Sequence, residues 1–455
     1  MQRRHGRPLR VSSHGAHSGR GSGSKPRRGD IVHGCRARRV TTVPRASALA
    51  PFRLRSFRFQ WPADLATSWA FEMETLILSW FVLSATGSVV WLTVFGALQF
   101  VGTLISPVYG VMGDRIGHRR LLITMRVSYA VLAGLLAALA LTGTLSIVAV
   151  FAVAFISGLV RPSDYGMRNA LIAATMPAPW LMGALGVERS SADAARVIGA
   201  LTGAALVAWI GIGLAYVAVC GFYLFSVLLM LGADESQPNG GARSIRAVWE
   251  ELGEGIAHVR ATPPLLAAMW LAFLANALAY PLTGGLLAYV AHDIYNIGRT
   301  GLGTLVACFA TGALAGSIIL SAQGGRVHPA RTMLAGAFLW FTLLLVFAVV
   351  RDPATGMVLL AVTGFVQSFC MVPMAVVILR VAHDRMRGRV MGLRMLAVYG
   401  LPLGLLASGP MIAWFGFATT GLLYAGLAIA CTAAIILRWR AQLLPVDAPA
   451  NALQR

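Results

Sequence analysis

Charged side chains are scarce in this sequence: 12% of its 455 residues are Asp, Glu, Lys or Arg, whereas 57% are hydrophobic. Soluble domains carry about 25% charged residues, so the composition excludes an ordinary water-soluble protein. Fifteen of the 38 Lys and Arg residues lie within residues 1–60, beside a single acid, Asp30. The rest of the chain is therefore only mildly basic, and the high net charge does not indicate nucleic-acid binding.

Cysteine is also rare, with five residues that are far apart in the sequence and four that fall inside apolar runs. No C-x-x-C or Cys/His spacing suggests a metal site, so we expect buried thiols and no bound metal. No G-x-S-x-G, H-E-x-x-H, P-loop or dinucleotide fingerprint occurs in a strand–helix context. The sequence therefore predicts neither an enzyme nor a cofactor.

Residues 1–60 are rich in Arg, Gly, Ser and His and have too little apolar surface to fold alone, so we predict a disordered basic tail. No apolar core of a secretory signal precedes residue 61. Three interpretations stay open: a mis-called start upstream of the real protein, a cytoplasmic arm that contacts anionic lipid, and an organellar transit peptide.

After residue 60, apolar runs of about 20 residues alternate with short polar breaks, and each run can cross a bilayer as a helix. The runs lack the alternating polarity of membrane β-strands. The predicted spans are 61–84, 88–112, 121–142, 145–167, 192–210, 212–232, 263–290, 301–322, 332–350, 354–379, 390–413 and 416–438. We therefore predict an all-α polytopic membrane protein with twelve transmembrane helices.

The arginines of the polar breaks are distributed very unevenly. With the N-terminus inside, the outer breaks contain only Arg299 and Arg351, and the other arginines of the breaks fall on the inner side. Because basic residues accumulate on the cytoplasmic side, we predict a multi-pass protein of the inner or plasma membrane with both termini cytoplasmic. Residues 439–455 are then a cytoplasmic tail.

Residues 233–262 divide the spans into an N-terminal half (61–232) and a C-terminal half (263–438), each with six helices. The segment Asp234–Ala242 has the composition of a flexible linker. Apolar residues at helical spacing in Ser244–His258 predict an amphipathic helix along the cytoplasmic surface.

A weak repeat relates the halves, because the glycines and arginines of 324–331 register with those of 113–120. Duplicated halves are typical of carriers that work by alternating access, although a non-transporting relative would keep the same repeat.

The most informative segment is Gly110–Arg120, a glycine-rich polar break with four basic side chains between the second and third spans. It resembles the G-x-x-x-D-R-x-G-R-R loop of the major facilitator superfamily of transporters, with His118 at a position that usually holds Arg or Lys. The segments Met167–Ala170 and Asp384–Val390 look like the subgroup that contains bacterial enterobactin-type and drug exporters. This resemblance implies a carrier whose halves enclose a substrate path near mid-membrane.

The resemblance also implies a charge cluster that locks the cytoplasmic gate, formed by the loop, the low end of span four and the start of span eleven. In span four itself, Arg161 and Asp164 are one helical turn apart, close enough to pair. The residues predicted for the loop and the gate are Gly110, Gly113, Asp114, Arg115, Gly117, Arg119, Arg120, Arg161, Asp164 and Arg168.

Carboxylates in the first span are the candidates for coupling. A carboxylate in hydrocarbon needs a polar cavity, a partner or a proton. Glu72 and Glu74 lie 200° apart on a helix, so we expect one to face the central path and the other a neighbouring helix. Asp64 is nearer the cytoplasmic end, where we expect it to contact water. In the second half, the candidates for the substrate cavity are Asn276, Tyr280 and Gln367.

Taken with the resemblance, these features predict a monomeric secondary transporter that moves a small molecule, most simply by proton-coupled efflux. Its partners would be that substrate, protons and the lipid bilayer, and no nucleic acid. Two alternatives stay open: an importer of the same fold and a non-transporting membrane sensor or scaffold. The spacing Gly199–Gly203 predicts close helix packing. Ala200 stands where antiporter-type relatives usually have Pro.

Overall fold

The computed structural model describes residues 50–234, 245–323, 327–382 and 386–447. Within these ranges the chain is helical and forms no strand, which confirms the all-α class. The helices are α1 (Arg55–Thr86), α2 (Val89–Leu98), α3 (Ser106–Ile116), α4 (His118–Leu141), α5 (Ile147–Thr175), α6 (Ala178–Met230), α7 (Ile245–Ala261), α8 (Pro263–Leu274), α9 (Leu287–Tyr289), α10 (Arg299–Gln323), α11 (Pro329–Val349), α12 (Pro353–Val381), α13 (Arg387–Leu396) and α14 (Gly400–Leu443).

Short irregular turns join several of these helices into continuous rods. A 3-10 turn, Val101–Ile105, connects α2 to α3, and another, Ala397–Tyr399, connects α13 to α14. Three π-helical turns, Ala275–Ala279, Pro281–Gly285 and Val290–Ile294, extend α8 through α9. Wide turns of this kind occur often at functional sites, because they change which side chains face the neighbouring helices.

The two longest helices are each broken at a glycine. Gly211 in α6 has φ 79° and ψ 171°, and Gly416 in α14 has φ 80° and ψ 165°. Glycine reaches positive φ without the steric cost that a Cβ brings. With 53 and 44 residues, α6 and α14 are each about twice as long as one crossing requires.

Among the described residues, nine helices are long and apolar enough to cross a membrane. This count takes α6 and the α13–α14 rod once each and omits α1, which carries Asp64, Glu72 and Glu74. Both segments of each broken helix, together with α1, give the twelve segments that the sequence predicts. The protein is therefore a multi-pass helical membrane protein, and the exact number of its crossings stays a prediction.

The first helix begins earlier than the sequence indicated. α1 starts at Arg55 rather than at residue 61, because Phe57 and Gln60 are buried and extend the packed surface of the helix. Residues 55–60 therefore belong to a helix and not to a disordered tail. The amphipathic helix of the linker is present as α7. Parts of the two predicted tails, 1–49 of 1–60 and 448–455 of 439–455, lie outside the described residues, as do the linker residues 235–244 and the segments 324–326 and 383–385.

Buried apolar side chains form two large clusters. One comes from α1, α2 and α4 to α6, and it is centred on aromatic residues such as Phe95, Tyr216 and Tyr223. The other comes mainly from α8 to α14 and contains Trp340 and Phe341, both fully buried. Helices of the same half therefore pack chiefly against one another, as expected for two bundles of helices.

The two halves meet closely at the end opposite the arginine-rich breaks. Gly303 of α10 packs on the backbone of Ala200 in α6, where an added Cβ would lie 3.0 Å from the carbonyl oxygen. At the same end, the rings of Trp80 and His292 are 5.4 Å apart. Gly409 of α14 packs against Val90 and Thr93 of α2. These contacts close the space between the halves at that end.

Candidate functional site

The glycine-rich break begins within a helix and turns at one residue. α3 runs to Ile116, Gly117 has φ 92°, and α4 begins at His118. Gly113 is closely packed, because a Cβ would lie 2.9 Å from the sulfur of Met167 and 3.2 Å from Cδ2 of His118. Gly117 and Gly113 are thus explained by backbone freedom and by close packing. Gly110 has open space around it, so packing does not require glycine there.

The charged residues of this break contact their immediate neighbours and the end of α6. Asp114 Oδ1 lies 3.7 Å from His118 Nε2, one helical turn away. Arg119 donates hydrogen bonds to the carbonyl oxygens of Met230 (3.1 Å) and Leu231 (2.6 Å), which ties the start of α4 to the end of α6. Arg115 and Arg120 are exposed.

The structure does not bring the predicted gate residues into one cluster. Asp164 and Arg168 of α5 lie in a buried ionic cluster that the sequence did not predict, whose further members are Asp64 of α1, Arg126 of α4 and Glu188 of α6. We call these five residues the buried ionic cluster. The expectation that Asp64 contacts water was wrong: its side chain is fully buried, because α4 and α5 pack over it.

Arg168 is the central residue of the buried ionic cluster. Its Nε lies 2.5 Å from Asp164 Oδ2 and 3.7 Å from Asp64 Oδ1, and its Nη1 lies 3.7 Å from Glu188 Oε1. The same Nη1 donates to Ser68 Oγ at 2.7 Å. Helices α1, α5 and α6 are therefore held together by a single guanidinium group.

Arg126 adds the second positive charge and forms an ion pair with Asp64. Gln60 donates to Asp64 Oδ2 at 3.1 Å and to the carbonyl oxygen of Arg168 at 3.1 Å. The cluster holds three carboxyl groups, all at most 3% exposed, against two guanidinium groups. Among the described residues, Glu188 Oε2 and Asp164 Oδ1 are buried carboxyl oxygens without a hydrogen-bond partner. A proton on one carboxyl group would balance the charges.

The helical spacing predicted that Arg161 could pair with Asp164, but the two residues do not pair in the structure. Arg161 Nη2 instead donates to Glu74 Oε2 at 2.5 Å, and its Nη1 donates to Gln99 Oε1 at 2.8 Å. Tyr223 of α6 donates to the same Glu74 oxygen at 2.7 Å. The predicted pair does not form because Arg161 pairs with Glu74 of α1, while Asp164 pairs with Arg168 one turn further along α5. Glu74 thus faces neighbouring helices, as expected for one of the two glutamates.

Glu72, the other candidate of α1, belongs to a second and more accessible set of charges. Its Oε1 lies 3.3 Å from Arg196 Nε in α6. Asp193 bridges Arg196 (3.7 Å) and Arg189 (3.3 Å) along the same helix. The side chain of Glu72 is 28% exposed and that of Arg189 is 62% exposed, so this set is far less buried than the buried ionic cluster.

The three residues predicted for the substrate cavity in the second half, Asn276, Tyr280 and Gln367, lie in two different environments. Gln367 of α12 donates to the hydroxyl of Tyr280 at 2.5 Å. Asn276 instead donates to the carbonyl oxygen of Ala272 in its own helix, at 2.8 Å. Tyr280 lies between two π-helical turns and interacts electrostatically with Arg189 and Arg196 of the first half. The structure therefore brings Tyr280, Gln367 and Glu72 towards one region, and leaves Asn276 in a local contact.

These features match a known family over nearly the whole chain. The description of that family is transmembrane secretion effector, and its model matches residues 46–453. This chain belongs to the transmembrane secretion effector family. The protein is accordingly a membrane transporter of the major facilitator type. The comparisons do not single out the enterobactin-exporter subgroup.

Solved structures of major facilitator transporters have the same fold as this chain. The human organic anion transporter MFSD10 (TETRAN) is 17% identical with a TM-score of 0.59, over 85% of this chain and 99% of that one. A POT family transporter in complex with a thioalcohol-conjugated peptide is 12% identical with a TM-score of 0.69, over 86% and 96%. A D-xylose–proton symporter is 14% identical with a TM-score of 0.63, over 86% and 99%. No curated protein sequence matches the chain significantly.

Sequence reasoning missed several charged residues of this family member. Arg126 and Arg196 lie within the predicted spans 121–142 and 192–210, which is the same signal that drew attention to Glu72 and Glu74. A charge in a predicted span is expensive unless it has a partner. Treating every such charge as a candidate would have found these two, although their partners could not have been named. Glu188 lies in the polar break before span 192–210, where a charge is not unusual, so this signal does not find it.

Proposed function

We propose that this protein is a proton-coupled carrier that exports a small molecule by alternating access between its two halves. The observation that carries the proposal is the charge imbalance of the buried ionic cluster. Asp64, Asp164 and Glu188 are three buried carboxyl groups that share two guanidinium groups, those of Arg126 and Arg168. An uncompensated carboxylate in a dry site is costly, so one of the three holds a proton.

Glu188 is the carboxyl group best placed to exchange that proton. Its distance to Arg168 is 3.7 Å, longer than the 2.5 Å between Arg168 and Asp164, whereas Asp64 also forms an ion pair with Arg126. It lies in α6, one residue before Arg189, whose side chain is 62% exposed. A small movement of α6 would therefore open Glu188 to water and release its proton.

The cluster also provides a mechanical link to alternating access. Arg168 joins α1, α5 and α6 through Asp64, Asp164 and Glu188. Protonation of one carboxyl group weakens its hold on the guanidinium group and allows the helices to separate. The conformational equilibrium then depends on proton binding, which is the requirement for coupling. Asp114 keeps its proposed gate role at the end of α3, through its contact with His118 rather than with Asp164.

The proposal also includes the direction of transport and the orientation of the protein in the membrane. The description of the family as secretion effectors supports export. The arginines on one face support cytoplasmic termini in a cell membrane. The closed contacts at the opposite end, such as Gly303 on Ala200, then leave the substrate space accessible from the cytoplasm. Because one chain contains both halves, a monomer can carry out alternating access.

The test is transport by the purified full chain in proteoliposomes. Anionic, cationic and neutral fluorescent compounds are offered with and without an imposed pH gradient, in vesicles of inside-out and right-side-out orientation. We expect at least one compound to move outward with respect to the cytoplasmic face, driven by the gradient. Glu188→Gln should remove the dependence on the gradient.

The matched control is Glu254→Gln, which removes an exposed carboxylate at the surface of α7. It should leave gradient-driven transport unchanged. Movement in the opposite direction would show an importer. Transport that ignores the gradient in the unmodified protein would contradict proton coupling. If no compound moves in either orientation, a non-transporting sensor is the better interpretation.

A further inference from the structure

Three arginines, two from the first half and one from the second, lie near one residue, Tyr280. Arg189 and Arg196 lie on α6, and Arg394 lies on α13. All three are within electrostatic range of the Tyr280 hydroxyl. Arg189 and Arg394 are also within range of each other and of Tyr165 in α5. Side chains of both halves therefore converge on a shared space, which we call the arginine cavity.

Water reaches the arginine cavity. The side chain of Arg189 is 62% exposed and that of Arg196 is 38% exposed, although both interact with residues of the opposite half. An arginine buried between packed helices would be far less exposed, as Arg126 and Arg168 are. The exposed surface of Arg189 and Arg196 thus faces a solvent-accessible space between the halves.

The arginine cavity carries more positive than negative charge. Arg196 pairs with Glu72 and Asp193, and Arg189 pairs with Asp193. Among the residues that the structure describes, Arg394 has neither an ion pair nor a hydrogen-bonded acid partner. Two acids therefore balance two of the three arginines. A half-buried guanidinium group without a partner is costly, and an anion beside it would offset that cost.

We propose that the arginine cavity binds the acidic group of a small organic anion, with Arg394 as its main charge partner. Arginine suits this role because its planar donors can hold a carboxylate, sulfonate or phosphate group through two parallel hydrogen bonds. Tyr280, which accepts a hydrogen bond from Gln367 at 2.5 Å, can direct its own hydroxyl proton into the cavity. The inference rests on the proposed carrier function, because it names the substrate class of that carrier.

A thiol placed in the cavity can test its selectivity for anions without any knowledge of the natural substrate. The full chain carries Tyr280→Cys in a background that lacks the native cysteines. It is labelled with two small reagents of the same reactivity: sulfonatoethyl methanethiosulfonate, an organic anion, and its trimethylammonium counterpart, a cation. Each rate is divided by the rate of the same reagent with a free thiol. Thr144→Cys, in an exposed turn between α4 and α5, serves as the reference position.

We expect the anion to label Cys at position 280 about tenfold or more faster than the cation, relative to position 144. Arg394→Gln should reduce this preference at least threefold, because it removes the unpaired charge. The matched control, Arg331→Gln, removes an exposed arginine at the surface of α11 and should change nothing. Equal labelling by both reagents, faster labelling by the cation, or a preference that Arg394→Gln leaves intact would overturn the proposal.

The labelling result is independent of transport. A protein that shows the anion preference but moves no compound in proteoliposomes would contradict the carrier function and keep the anion site. A protein that transports compounds but shows no preference would keep the carrier function and reject the anion site. The two proposals can therefore fail separately.

Discussion

Arg161 of α5 donates a hydrogen bond to Glu74 of α1 over 2.5 Å, although the two residues are 87 positions apart in the sequence. Tyr223 of α6 donates to the same carboxyl oxygen at 2.7 Å. The guanidinium group also lies 4.2 Å from the centre of the Phe71 ring. One carboxylate thus joins three helices of the first half, and its role is to hold α1 in place.

The contrast between Glu74 and Glu72 gives the first prediction. Glu74→Gln leaves a buried arginine without its charge partner, so we expect it to reduce the free energy of unfolding by about 3–5 kcal/mol. Glu72→Gln breaks a half-exposed pair and should cost less than about 1 kcal/mol. Thermal unfolding of the two variants in the same detergent measures both effects. Similar losses of stability would contradict the distinction between the two sites.

The second prediction concerns the ion pair between Asp64 and Arg126 in the buried ionic cluster. Asp64→Asn and Arg126→Gln should each destabilise the protein, since each leaves a buried charge with fewer partners. The double variant should be less destabilised than the sum, with a coupling of about 1–3 kcal/mol. The surface pair of Glu254 and Arg389 is the control, and its coupling should stay below about 1 kcal/mol. Additive effects of Asp64→Asn and Arg126→Gln would mean that the pair is not formed.

The third prediction concerns the crossing of α10 and α12. A Cβ on Gly312 would overlap the carbonyl oxygen of Ala361, and a Cβ on Gly364 would overlap that of Phe309. Either substitution to Ala should therefore force the helices apart and cost about 1–3 kcal/mol. Gly426→Ala is the matched control, because a Cβ there meets no atom within 4 Å. Thermal unfolding should rank both crossing variants well below this control, and equal stabilities would show that the helices do not approach so closely.

The sequence predicted the spans well because hydropathy and charge bias depend on composition within short windows. The amphipathic linker helix was found for the same reason: its pattern is local, and α7 begins at Ile245. The start of α1 was placed six residues late, since Arg55 and Arg58 break the apolar run although Phe57 and Gln60 are buried. Local patterns thus predict that a helix exists better than where it ends.

The partners of the charged residues could not be predicted in the same way. Helical spacing suggests only neighbours on one helix, and it paired Arg161 with Asp164. In the structure, Arg161 pairs with Glu74 of α1, which depends on how α1 and α5 pack, and Asp164 pairs with Arg168 on α5. Asp64 was expected in water because of its position along α1, whereas α4 places Arg126 beside it. The site therefore depends on contacts between helices that no single-sequence pattern contains.

The most direct test of proton coupling follows the protons themselves. Proteoliposomes enclose a pH-sensitive dye and contain either the unmodified protein or Glu188→Gln, and the compound identified by the transport panel is then added as a gradient without an imposed pH difference. We predict a proton flux opposite to the movement of the compound, and in Glu188→Gln movement of the compound without that flux. Transport by the unmodified protein with no proton flux, or an undiminished flux in Glu188→Gln, would contradict the coupling assigned to the buried ionic cluster.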